Sequence, residues 1–406
     1  MQASLKLISL LSFAAILAGC DNSDNSGKKA KLNYNNFQEA SVVLGQEDFN
    51  RDLSLAASAQ DLAGAWGPVT FINKKLYVPI YSQSRVLIFD GIPDTNYAAA
   101  SDVLGQFNLD SDVAETSATG MNGPVSAFSD GEKLLIAEYS NNRVLIYNSI
   151  PESGSPGTAD VVVGQPDLDT TQGRRQTNCS ASGLDNPYNA IITDNGKLVI
   201  NDAANHRVLI WNSVPTSNGQ AADIVVGQAD MQSCDRNAGG SITASSFSTP
   251  TGMWTNGGQL FVADSSNNRV MVWNQLPTTN NQAADWIIGQ DDFNSNESGV
   301  AINRFSFSEP VLHSDGKRLC LTDDKNARVL IWDTLPTEND KNPDVVLGQS
   351  NFDRNIYNDD DQDGVSDGQP SARTLYYPSG CTFINKQLVV TDYSNNRVLI
   401  FNAERR

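Results

Sequence analysis

The stretch DYSNNRVLIFN, Asp392–Asn402, decides how the chain is read, because it recurs. EYSNNRVLIYN (Glu138–Asn148), DAANHRVLIWN (Asp202–Asn212), DSSNNRVMVWN (Asp264–Asn274) and DDKNARVLIWD (Asp323–Asp333) are copies of it. The arginines Arg85, Arg143, Arg207, Arg269, Arg328 and Arg397 follow one another at spacings of 58 to 69 residues. A second motif, of the form DVVLGQ, places Gly45, Gly105, Gly164, Gly227, Gly289 and Gly348 at spacings of 59 to 63. Both series count six, and a repeat of this period overrides length as a guide to domain number.

Within each unit the order is constant. A Pro-led apolar segment is followed by a tight turn such as DNGK or TNGG, and then by an apolar segment ending near Asp. The Ser-Asn-Asn turn, RVLIWN, a linker and DVVLGQ complete the unit. Short β-branched and aromatic runs bounded by Asn-Gly or Asp-Gly turns signal strands and hairpins, four to a unit. Six four-stranded antiparallel units favour radial packing, in which each sheet buries its faces against its neighbours. The expected fold is all-β, a six-bladed β-propeller over residues 41–402, with the N-terminal strand 41–46 completing the last blade and closing the ring. VADSSNNRVMVWN (Val262–Asn274) and VTDYSNNRVLIFN are similar to the NHL repeat, a resemblance that implies this fold and leaves function open.

The N-terminus reads Lys6, an apolar run LISLLSFAAILAG and then Cys20, the pattern of a signal peptide over residues 1–19. LAGC resembles the lipobox of bacterial lipoproteins, which implies an acylated Cys20 and a bilayer as partner. Residues 20–40 then form a polar tether. The expected location is the cell envelope outside the cytoplasm, on the periplasmic side of the inner membrane or at the outer membrane or surface. With 28 basic against 47 acidic side chains the net charge is −19, which excludes nucleic acid as a partner.

A residue present in every unit is most simply explained by what every blade needs, so the repeated Arg, Asn pairs and aromatics read as scaffold. The Gly-Gln pairs are expected to fasten outer strands to the next blade, and His206 reads as a turn variant of Asn. Residues that break the repeat are the candidates. NDDDQDGVSDGQ, Asn358–Gln369, places Asp359, Asp361 and Asp363 at alternate positions, then Gly364, Val365 and Asp367. This resembles a DxDxDG calcium loop, which implies that carboxylates and the Val365 carbonyl converge on one structural calcium. Pro370 stands where an EF-hand has its bidentate Glu, which points to weak affinity.

An exported chain tolerates disulfides. Cys179 and Cys234 sit in successive connections of the same class and form a candidate pair. Cys320 and Cys381 either face each other between blades or are two small buried thiols. The residues preceding each first-strand proline, Gly67, Gly123, Asn186, Thr249, Glu309 and Tyr377, are expected to line the channel mouth, with Glu309, His313 and Asn186 as candidates for a channel metal. Gluconolactonase-like propellers and amidating lyases hold such metals. No G-x-S-x-G, CxxC, phosphate-binding Gly loop or HExxH occurs in the mature chain, so no motif argues for catalysis. The expectation is a binding or interaction module, for an envelope protein or a small ligand, with a propeller hydrolase or lyase as the alternative. Its working face is expected on the side of the long connections.

Overall fold

Each repeat folds as one antiparallel sheet in the computed structural model, which describes residues 32–151, 156–171, 179–339 and 341–405. Blade 3 shows the plan. Pro187–Ile192 pairs with Leu198–Asp202, which pairs with Arg207–Trp211, which pairs with the outer strand Ile224–Val226. Blades 1, 2, 4 and 5 begin at Thr70, Pro124, Pro250 and Leu312 and end at Leu104, Val163, Ile288 and Leu347. Blade 6 takes three strands from Pro378–Asn402, and its fourth, Val42–Leu44, pairs Val42 with Ile400 and Leu44 with Val398. A second pairing, Leu32–Asn33 with Glu404–Arg405, joins the two ends again.

The strands are apolar on both faces because both faces are covered. Val208 and Ile210 of blade 3 pack in one cluster with Met253, Val262 and Met271 of blade 4. The aromatic after each RVLI belongs to this packing. Trp211, Trp273 and Trp332 are fully buried, and each indole N–H donates to a carbonyl of the following linker.

The repeated arginine holds the frame. All six are fully buried. In blade 4, Arg269 Nε donates to Asp264 at 2.8 Å, and its terminal nitrogens donate to the carbonyls of Thr243 and Ser246 in the connection before the blade and Phe293 in the connection after it. Asp264 also accepts from Asn267 Nδ2 and from the Ser248 amide. One guanidinium thus ties two long connections to one strand, a geometry for which its planar fork is suited. Glu138, Asp202, Asp323 and Asp392 pair the same way with Arg143, Arg207, Arg328 and Arg397.

Blade 1 departs from this plan. Ile80 stands in the acidic position, and Arg85 donates to the carbonyls of Ser58, Asp61 and Leu109. The carboxylate has moved to Asp61 in the preceding connection, and Gln83, one methylene longer than the Asn it replaces, reaches it.

The turn before each arginine ends on a left-handed residue: Ser84, Asn142, His206, Asn268, Ala327 or Asn396, with φ between 49° and 53°. Its carbonyl receives the side-chain amide of the repeated glutamine, as in Gln228 Nε2 to His206 O and Gln290 Nε2 to Asn268 O, each at 3.0 Å. The same amide reaches a carbonyl seven residues on, Asp235 or Glu297. The glutamine therefore binds its own blade and folds the outgoing connection, while the glycine of the pair bridges to the segment entering the next blade, as Gly164 does to Gly183 and Gly348 to Thr374, so the expected fastening falls to the glycine and not to the glutamine. The glycine before it is required: Gly45 has φ +89°, and a Cβ there would lie 2.9 Å from Asn396 O.

Candidate functional site

The turns and long connections emerge together at one end of the channel, where a cavity of about 320 Å³ opens. It is lined by Trp66, Tyr81, Val125, Tyr139, Tyr188, Glu309, Tyr377, Tyr393 and Ser394. Three of these tyrosines occupy one repeat position, the residue that opens the turn after the second strand. Around the ring that position reads Tyr81, Tyr139, Ala203, Ser265, Asp324 and Tyr393. Blades 6, 1 and 2 therefore present phenols where blade 5 presents a carboxyl group.

The rings form a continuous arc. Tyr377 and Tyr393 lie 6.2 Å apart, Tyr393 and Trp66 4.5 Å, Trp66 and Tyr81 6.1 Å, Tyr81 and Tyr139 5.9 Å, and Tyr139 and Tyr188 5.3 Å. These contacts are tilted or edge-to-face and none is a parallel stack, so no ring has its face covered by the face of a neighbour in the arc. The Tyr188 hydroxyl then donates to Glu309 Oε1 at 2.5 Å. The Glu309 amide donates to Asp324 Oδ2 at 2.8 Å, and burial together with the charge of Asp324 raises the Tyr377 phenol. Six aromatic side chains and two carboxyl groups thus form one linked series at the mouth, from Tyr377 through Glu309 to Asp324.

Burial sets the electrostatics. It raises the Glu309 carboxyl above its ordinary value, against the opposing pull of the Tyr188 hydrogen bond and the exposed Lys325 ammonium. It pushes Asp324 up to about 7, although backbone amides of Glu309 and Ser308 favour its ionised form. Burial likewise raises the phenols of Tyr188, Tyr377 and Tyr393, so all three remain protonated donors at neutral pH. Among the described residues, lysine, arginine and histidine are absent from the lining of the cavity.

The three channel candidates do not come together. Glu309 lines this mouth. Asn186 is turned into the wall, where its Nδ2 donates to Tyr139 O and its amide donates to Asn142 Oδ1. His313 lies four residues along the strand from Glu309 and lines a separate cavity of about 370 Å³ at the other end, with Trp254 and Phe383. Its Nδ1 accepts from the Phe383 amide, and burial lowers its pKa to about 4. A strand that runs the length of a channel carries neighbouring residues to opposite mouths, which corrects the expected grouping of His313 with Glu309. Of the six residues before the prolines, Glu309 and Tyr377 line the cavity.

Among the described residues, Asp359, Asp361 and Asp363 offer oxygens that all lie within 4.8 Å of one another. Asp359 is buried and accepts from the amides of Asp363 and Gly364; Asp363 accepts from Val365, and Asp367 from Asp360. Asn358, beside them, exchanges two hydrogen bonds with Asn395, whose amide also donates to Asp392 of the arginine clamp. Cys179 and Cys234 are bonded to each other, as are the fully buried Cys320 and Cys381. Cys20 lies outside the described residues.

Fold and site together define a six-bladed β-propeller whose channel mouth is an aromatic arc continued by carboxyl groups. No protein-family model and no curated protein matches the chain. Among solved structures, the chain is similar to virginiamycin B lyase from Staphylococcus aureus, at 11% identity over 85% of this chain and 97% of that one, with a TM-score of 0.41. A streptogramin B lyase structure is similar at 12% identity over 88% and 97%, with a TM-score of 0.43. At these values neither likeness bears on the chemistry of the mouth.

Proposed function

We propose that this protein is an exported, lipid-anchored propeller of the NHL-repeat type that serves the cell envelope as a binding module, with the channel mouth at Glu309 as its site. The observation that carries this reading is the linked series of six aromatic side chains and two carboxyl groups at the mouth, assembled from residues that break the repeat. A cavity of about 320 Å³ falls at the small end of the range for small-molecule sites, which spans roughly 300–1,000 Å³, and its aromatic walls present hydroxyl and carboxyl groups to orient a ligand. A hydrolase or lyase built on a channel metal would need Glu309, Asn186 and His313 to converge, and their separation counts against it.

The lipobox-like LAGC and the polar sequence that follows it support a module held at a bilayer through acylated Cys20, facing a compartment where its disulfides persist, with the expected tether cut short at residue 32, from which the chain packs on the propeller. Calcium, bound by Asp359, Asp361, Asp363, the Val365 carbonyl and Asp367, orders the longest connection and, through Asn358 and Asn395, steadies the Arg397 clamp. Its role is structural.

The reading is tested by equilibrating envelope extract with the protein and with a Tyr81→Ala/Tyr393→Ala variant, then comparing retained small molecules by mass spectrometry. At least one compound held by the wild type and lost by the variant is expected. Identical retention, or recovery of a stoichiometric protein partner by both, would count against a small-ligand site.

A further inference from the structure

The lining of the mouth restricts what can sit there. Among the described residues, a bound anion would find no lysine, arginine or histidine in the lining, and the cation acting on Glu309, Lys325, is exposed outside it, in a chain of net charge −19. A cation finds ring faces and one carboxylate. Aromatic faces carry negative electrostatic potential, and each can hold a cation placed within about 6 Å of its centroid. The arc lines the cavity with such rings while Glu309 supplies the formal counter-charge.

Hydrogen bonding narrows the class. A primary ammonium carries three donors that need acceptors once desolvated. The Glu309 Oε1 atom already receives the Tyr188 hydroxyl, and Asp324 is committed to two backbone amides. The tyrosine and Ser394 hydroxyls offer acceptor lone pairs, but neutral hydroxyls are weaker partners for a desolvated ammonium than carboxylates. A cation whose charge is spread over alkyl groups makes no such demand and fills an apolar-walled cavity better.

We propose that the mouth binds an alkylated ammonium group, seated among Trp66, Tyr81, Tyr139, Tyr377 and Tyr393 with the Glu309 carboxylate as its counter-charge. The inference rests on the reading of the mouth as a binding site. Tyr188 and Asp324 are positioning residues: the first holds the Glu309 carboxylate and the second holds its backbone. Such a group occurs in free small molecules and in phospholipid headgroups, and the chemistry recognised is the same.

Isothermal titration of the full-length protein, in a non-ionic detergent, compares choline with its neutral carbon isostere 3,3-dimethyl-1-butanol. Choline is expected to bind saturably and the isostere at least tenfold more weakly. Glu309→Gln, which keeps an acceptor for Tyr188, should weaken choline at least tenfold without shifting the melting temperature, and Tyr393→Leu should weaken both probes. A glycerophosphocholine arm separates the sources: tighter binding than choline assigns the headgroup, and equal or weaker binding assigns a free ammonium compound. Equal affinity for the isostere, or an unaffected Glu309→Gln variant, overturns the charge assignment yet leaves the mouth as a binding site if Tyr393→Leu abolishes that binding. Failure of both probes overturns the ammonium assignment, and the extract comparison then decides the underlying reading independently.

Discussion

The Tyr188 hydroxyl meets Glu309 Oε1 at 2.5 Å across the channel, joining the first strand of blade 3 to the connection entering blade 5. Neither residue belongs to the repeat pattern, and their sequence separation of 121 hides the contact from any local reading. The ring brings them together because its blades hold their inner strands around one axis.

That ring depends on the buried clamps. Asp264→Ala leaves the Arg269 guanidinium buried without its carboxylate, and loss of one partner of a buried pair costs about 3–5 kcal/mol. Equilibrium unfolding in urea should show a loss of that size. A change under about 1 kcal/mol, the scale of an exposed pair, would contradict the clamp.

His206 does the work of an asparagine. Its Nδ1 accepts from the Thr249 amide at 3.0 Å, as Asn142 Oδ1 accepts from Asn186 and Asn268 Oδ1 from Phe307. His206→Asn should melt as the wild type does. His206→Leu should cost about 1–3 kcal/mol by leaving that amide unsatisfied. Equal stability of the two variants would place His206 outside the turn's hydrogen bonding.

Two buried groups give opposite pH slopes. Burial pushes Asp324 up to about 7 in the folded protein from an ordinary 3.8, so the native state binds more protons in that window and loses stability as pH rises through it. His313 titrates near 4 against 6.5, so the native state binds fewer protons and loses stability as pH falls through that window. Asp324→Asn should flatten the loss between about pH 4 and 7, and His313→Phe the loss between about pH 6 and 4, in denaturant titrations across pH. Unchanged slopes would remove these assignments.

Chelation should lower the melting temperature of the wild type and leave that of Asp361→Asn/Asp363→Asn unaffected, with calcium found by elemental analysis in the wild type alone. An insensitive wild type free of calcium would leave Asp359, Asp361 and Asp363 as a hydrogen-bonded acidic loop.

Thiol titration of the denatured, unreduced protein should find none of Cys179, Cys234, Cys320 or Cys381 reactive. Under native conditions a mild reductant should open Cys179–Cys234 before the fully buried Cys320–Cys381. Two free thiols at the latter pair would return it to the packed-thiol alternative.

Much of the frame is legible in the sequence. Six arginines at even spacing mark the third strands, and Asn-Asn before them marks turns that need a left-handed residue. What the arginines grip is not legible, because carbonyls carry no side-chain signature. The glutamine was misdirected for the same reason: its partner is a backbone carbonyl inside its own blade. Most of the mouth escapes because the repeated aromatics after RVLI draw attention to packing, while Tyr81, Tyr139, Asp324 and Tyr393 show their relation only when the turn-opening position is compared around the ring. Glu309 was visible as a breaker before its proline. Its grouping with His313 failed because closeness along a strand is not closeness within a channel.

The most direct test is a crystal structure of the protein soaked with choline. Density for the trimethylammonium group among Trp66, Tyr81, Tyr393 and Glu309 is the predicted result. An unfilled mouth at a concentration that saturates binding in solution, or choline seated at the other end beside His313 and Trp254, would contradict the account.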